Sequence, residues 1–190
     1  MNIKHSWIMS GVLLIGSYTP VSFAQNVNVD FTANIRETTC DMRITGGTGD
    51  GQNNTIQIGA GGKTSLDKIL SGDSSVSVPF SLDIVSCPSS LSALKTTISG
   101  TRSSYISSAI ANGASGADKA DFIGVQISRA SGGNAFIINS TNDAERLVWT
   151  NDEISTQKKV DLLAKLVTTS ASDATTGEFN AVATFNFTYQ

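Results

Sequence analysis

The sequence predicts an all-β domain, a sandwich of short antiparallel strands, and three observations carry that prediction. Apolar residues alternate with polar ones in run after run, the period-two signature of strands whose successive side chains point to opposite faces. Segments rich in Gly, Ser, Asn and Asp, such as 45–54 and 107–119, separate the runs and read as loops. No long segment holds the 3.6-residue apolar period of a helix. Several short strands between turn signals suit a sandwich or a barrel, and the sandwich is the architecture expected.

In chain order, the first run is Val27, Val29, Phe31, Ala33 and Ile35, all of one parity. Residues 65–70 and 91–94 each have room for about one helical turn. Val76, Val78, Phe80, Leu82 and Ile84 alternate just before Cys87. Residues 122–127 and 135–138 are denser apolar runs joined across Gly132-Gly133, a turn former. Val160, Leu162, Ala164 and Leu166 alternate again. The chain ends on Phe179, Ala181, Ala183, Phe185, Phe187 and Tyr189, with no polar tail. Termini are usually polar and frayed unless something holds them. A bare strand edge with an apolar face also invites pairing between chains. Alternation alone leaves two readings of the terminal runs open: ordinary strands of a closed sandwich, or strands that pair between chains.

The N-terminus predicts export. Lys4 and His5 precede an apolar run from Trp7 to Ile15, and Ser22-Phe23-Ala24 places small residues where a signal peptidase reads them. Residues 1–24 are therefore expected to be a signal peptide cleaved before Gln25, the run being shorter than the roughly 20 residues of a membrane span. No later stretch is apolar enough to span, so no membrane segment is expected after cleavage.

Composition excludes several function classes. Charged residues are only 15% and the formal net charge is −3, the opposite of the basic footprint that nucleic-acid binding needs. Two cysteines and one histidine are too few soft ligands for a structural zinc site, and no metal or other cofactor is expected. Signal cleavage removes His5, the one histidine, and with it Ser-His-Asp and Cys-His catalysis. Asp and Glu are scattered through polar loops without the pairing that carboxylate hydrolases use. The Gly-rich segment 46–51 lacks the Lys-Ser/Thr ending of a phosphate loop. No enzyme is expected. Cys40 and Cys87, an even pair in an oxidising compartment, are expected to form a disulfide. Chain-entropy reasoning credits a loop of that length with about 4 kcal/mol.

Together these features resemble the pilus subunits of the chaperone–usher pathway, close to the type 1 fimbrial subunits. The matching pieces are the leader, the alternating strand from Val27 to Ile35, Cys40 after it, Ser86-Cys87-Pro88, and Val160-Asp161-Leu162-Leu163-Ala164-Lys165-Leu166. The ending is the most diagnostic piece: Gly177, then Phe179, Ala181, Phe185, Phe187 and the penultimate Tyr189. The middle of the chain, 99–151, carries little motif information.

The resemblance implies an incomplete immunoglobulin-like sandwich, the pilin fold, which lacks its last strand and is completed by a donor strand from another chain. Residues 25–36 would be an N-terminal donor-strand extension and 37–190 the pilin domain. Val27, Val29, Phe31, Ala33 and Ile35 would enter a neighbour's groove. Burying the four larger side chains has a gross worth of roughly 6–12 kcal/mol, opposed by the ordering of the strand. Gly177, Phe179, Ala181, Ala183, Phe185, Phe187 and Tyr189 would line this chain's own groove and form its chaperone-binding strand. The implied partners are a periplasmic chaperone, an outer-membrane usher and neighbouring subunits, on an export route to a cell-surface fimbrium with a role in adhesion. One departure is Ala33, where donor strands of the family often carry glycine. Without a lectin domain in front, the chain is expected to polymerise as a shaft pilin or minor adaptor. The alternative reading is a secreted single-domain carbohydrate-binding adhesin, with Trp149 as its sugar-stacking platform.

Overall fold

Alternation becomes strand wherever both faces of a run find partners. The computed structural model describes residues 39–190; Val27, Val29, Phe31, Ala33 and Ile35, like the expected leader 1–24, lie outside the described residues. Within them the chain forms β1 (Asp41–Thr45), β2 (Thr48–Gly49), β3 (Asn54–Thr55), the short helix α1 (Leu66–Ser71) and β4 (Ser77–Ser86). Then follow β5 (Leu94–Ser99), β6 (Ala109–Ala111), β7 (Ile123–Arg129), β8 (Leu147–Val148), β9 (Lys159–Thr168) and β10 (Thr184–Tyr189). A five-stranded sheet has the order β1-β4-β9-β7-β6, and a three-stranded sheet the order β10-β5-β8. β2 and β3 pair as a minimal hairpin. Every ladder between these strands is antiparallel.

The two larger sheets share one core. The five-stranded sheet supplies Phe80, Leu82 and Ile84 from β4, Val160, Leu162, Ala164 and Leu166 from β9, and Ile123, Val125 and Ile127 from β7. Leu94 and Ile98 from β5 and Leu147 from β8 meet them from the other side. This is the all-β sandwich that the alternation predicts. The α-helix lies where residues 65–70 suggest it, shifted by one position, and stops at Gly72 in the left-handed region.

Two local expectations change. Residues 135–138 form no strand. Their chain crosses between elements, and successive N–H groups donate to unrelated carbonyls: Phe136 to Ile127 (2.9 Å), Ile137 to Glu145 (3.0 Å), Ile138 to Ser107 (3.0 Å) and Asn139 to Ile98 (2.9 Å). The run is half-buried up to Ile138, which is fully buried, and the amides of Phe136 to Ile138 are satisfied without a ladder. Residues 91–94 make no helical turn; Leu91 closes a turn on Pro88 and Leu94 opens β5. β5 itself is masked in the sequence by a polar residue in a core position. Thr96 is fully buried between Leu94 and Ile98, and its Oγ1 accepts the indole N–H of Trp149 at 2.9 Å. Trp149 is 4% exposed, so it is a core residue and no platform for a sugar.

Cys40 and Cys87 are joined in a disulfide. It ties the residue before β1 to the residue after β4, at the end where Asp41 pairs with Ser86. The ladder and the cross-link thus hold the same two strands. The cross-link closes a loop 47 residues long in sequence separation, so replacing both cysteines by alanine should lower stability by about 4 kcal/mol. Urea unfolding of both proteins checks this, and equal midpoints would contradict it. A second variant, Thr96→Val, leaves the buried Trp149 N–H without an acceptor and should cost about 1–3 kcal/mol in the same assay.

Candidate functional site

The three-stranded sheet is where the sandwich is thinnest. β10 has one hydrogen-bonded neighbour, β5, among the described residues. Their register runs from Thr184 opposite Ser99 to Tyr189 opposite Leu94. At its end, the Gln190 N–H donates to the Ala93 carbonyl (2.9 Å), and the Gln190 carbonyl accepts from the Ala93 N–H (2.9 Å). In an antiparallel ladder such exchanging pairs alternate with pairs whose backbone groups point away. The even-numbered residues of β10 therefore spend their N–H and C=O groups on β5. Those of Phe185, Phe187 and Tyr189 face the outer edge.

The side chains of the same residues are incompletely covered. From Phe179 to Gln190 burial alternates strictly, with the odd positions half-buried and the even positions exposed. On β9 the corresponding alternation reaches full burial at Val160, Leu162, Ala164 and Leu166. Phe179, Ala181, Ala183, Phe185, Phe187 and Tyr189 all pack against the core from its margin. The Phe185 ring lies 5.9 Å from that of Phe80 on β4, and the Phe187 and Tyr189 rings stack at 6.4 Å. Among the described residues, a half-covered apolar face thus lies beside an edge of backbone groups without a strand partner.

The two ends of this strip are held differently. At the far end the Tyr189 hydroxyl donates to the Cys40 carbonyl at 3.3 Å, linking β10 to the disulfide. Burial raises the Tyr189 phenol above its ordinary value, and the Asp41 carboxylate adds to the rise. At the near end the sequence suggests a strand from Phe179 onwards, yet the ladder starts at Thr184. Before it the chain is bound to another segment. The Glu178 N–H donates to Asp118 (2.8 Å) and the Ala120 N–H to Glu178 (2.9 Å), making a parallel bridge beside Lys119. Asn112 joins three strands of backbone here: its Nδ2 donates to the Ala120 and Glu178 carbonyls (2.8 and 2.7 Å), and its Oδ1 accepts from the Asn180 N–H (2.9 Å). Gly177 permits the approach. Its φ is 154°, and a Cβ there would lie 2.2 Å from the Asp118 carbonyl oxygen.

The structure brings Gly177, Phe179, Ala181, Ala183, Phe185, Phe187 and Tyr189 into one strip. Sequence reasoning overlooks Asn112 beside the strip and a further pair at the core margin. Asn112 carries no motif, since its role is to bind backbone from distant segments. Ile56 and Ile58 form a second half-buried alternating pair packed on the core margin, and their Ile-Gln-Ile spacing is a signal too short to stand out beside longer runs. Among the described residues no cluster of His, Cys, Asp and Glu could hold a metal ion, and no helix is long and apolar enough to cross a membrane.

Comparison with known proteins adds the family. The profile described as "Fimbrial protein" matches residues 24–190. The chain is 35% identical over 188 residues to the uncharacterized fimbrial-like protein YadM of Escherichia coli (strain K12), covering 96% of this chain and 95% of that protein. Among solved structures, the P pilus rod subunit PapA superposes with a TM-score of 0.56 at 20% identity, over 86% of this chain and all of that one. The latter likeness shows a shared pilin fold.

Tyr189→Phe should cost about 0.5–1.5 kcal/mol, the usual net worth of one hydrogen bond. The pH dependence follows from the raised phenol. The contribution of Tyr189 is fully present below about pH 10, the ordinary tyrosine value, and is lost as pH rises through the higher folded value. Stability measured from pH 8 to 11 should therefore fall less steeply in the phenylalanine variant than in the parent. Parallel curves would show that Tyr189 is not the group responsible.

Proposed function

The chain belongs to the fimbrial protein family, and from that premise we propose that it is a polymerising subunit of a chaperone–usher pilus, linked to its neighbours by donor-strand exchange. It is a structural subunit and not an enzyme, and its partners in a pilus are other subunits. The observation that carries the finer reading is the coincidence on β10 of two deficits: a half-covered apolar face, and an outer edge bearing the backbone groups of Phe185, Phe187 and Tyr189. One extended strand of alternating apolar residues remedies both. Its main chain extends the ladder, and its apolar side chains complete the core.

Residues 25–36 supply such a strand to the next subunit, with Val27, Val29, Phe31, Ala33 and Ile35 on the inserted face. Residues 1–24 are the leader and 37–190 the receiving domain. Before assembly a periplasmic chaperone fills the strip with a strand of its own, and at an outer-membrane usher the incoming subunit replaces it. The product is a cell-surface fimbria that serves adhesion. Register is strict, because a slip by one residue turns Phe31 and its companions away from the apolar strip. The carbohydrate-binding alternative loses its platform, since Trp149 lies in the core with its N–H bound to Thr96.

A chain lacking residues 25–36 should be marginally stable alone, and a peptide of that sequence should raise its melting temperature. Full stability without the peptide, and no shift with it, would remove the missing-strand reading. Phe31→Asp should abolish incorporation into fibres while leaving binding of the same chain to its chaperone intact. Electron microscopy of assembled fibres reads the first effect and co-purification the second; normal fibres from this variant would defeat the donor assignment.

A further inference from the structure

A sandwich of open sheets has more than one edge on which a strand could add, and here the competing edges are occupied by local means. On β1 the outward backbone groups belong to Met42 and Ile44. The Gln52 Nε2 donates to the Met42 carbonyl (2.7 Å), and the Ile44 N–H donates to the Gly51 carbonyl (2.7 Å). The Asn54 Nδ2 donates to the Ile44 and Gly46 carbonyls (3.2 and 2.8 Å), while its Oδ1 accepts the Gly51 N–H (2.8 Å). Two side chains and one loop carbonyl thereby stand in for a strand. The fit is close: Gly51 has φ 89°, and a Cβ there would lie 2.6 Å from Cγ of Arg43 on β1.

The other edges are closed too. β6 is flanked by residues 101–103, with the Ser103 N–H on Ala109 (2.8 Å) and the Ala111 N–H on Thr101 (2.8 Å). On β8 the Val148 carbonyl accepts from the Arg129 guanidinium at 2.7 Å, and Arg129 is fixed by its ion pair with Glu153. Against these, the outer edge of β10 carries no such cap among the described residues.

We infer that Gln52 and Asn54 are specificity-determining residues for strand addition, closing the β1 edge so that an incoming strand pairs with β10. The inference rests on the strand-exchange reading above. Its chemistry is simple: a strand can add to β1 only by displacing three hydrogen bonds from side-chain amides and one from Ile44, whereas adding to β10 displaces none of this kind among the described residues.

The test uses the full chain carrying Phe31→Asp, so that its own N-terminal strand does not compete, titrated with a synthetic peptide of residues 25–36. Native mass spectrometry should count one peptide per chain. Adding Gln52→Met and Asn54→Leu, which preserve size and remove the amides, should raise the count to two. The Ile44 amide should also lose protection from hydrogen exchange when the peptide is absent. Gln52→Glu alone, which keeps the side chain's size, serves if the double change prevents folding, and should give a partial second occupancy. A count of one in all folded variants, with Ile44 still protected, overturns the role of Gln52 and Asn54 but leaves strand exchange standing. No peptide bound even to the Phe31→Asp chain overturns both.

Discussion

A backbone N–H or C=O removed from water must find a partner, and this requirement at the sheet edges organises the molecule. Strands β4, β7, β9 and β5 meet it through neighbours on both sides. β1, β6 and β8 meet it on their outer sides through a hairpin loop, a neighbouring segment and an arginine. β10 meets it on one side, against β5. The cost of an unmade hydrogen bond exceeds the net gain of a made one, and on the proposed reading this makes the outer edge of β10, uncapped among the described residues, the place where another chain adds.

The apolar face obeys the same geography. Burial along β9 is complete at alternate positions because two sheets enclose it, whereas β10 reaches only half-burial on its apolar face. The aromatic residues there are large enough to keep contact with the core from its margin, as the Phe185–Phe80 pair shows. Gly177 and Asn112 bind the start of the terminal segment, and Tyr189 ties its end to the disulfide-linked end of β1. Anchoring at both ends holds the strip in register, with β5 as its one strand neighbour among the described residues. On the proposed strand-exchange reading, a subunit built this way is folded yet unfinished, which suits assembly without covalent links between chains.

Much of the fold was legible in the sequence because period-two alternation is a direct imprint of a two-sided sheet. Val78, Phe80, Leu82 and Ile84 mark β4, and Val160 to Leu166 mark β9. The pattern failed where burial and hydrogen bonding part company. Residues 135–138 are as apolar as a strand, but the amides of Phe136, Ile137 and Ile138 go to three separate segments. β5 hides behind Thr96, a polar residue that belongs in the core only because the Trp149 indole meets it there. In each case the deciding partner is remote in sequence, beyond the reach of any local period.

The sequence by itself determined that the chain is all-β, that its cysteines are a pair, and that its final residues form an apolar strip of fixed parity ending on Tyr189. Those features are written in spacing and composition, which act locally. Tertiary structure decided where the ladder begins, which edges are capped and which stays open. Asn112, Gln52, Asn54 and Arg129 are ordinary polar residues until the fold brings carbonyls from distant segments within hydrogen-bonding reach. Edge satisfaction is a property of pairs of segments, and only the folded chain specifies the pairs.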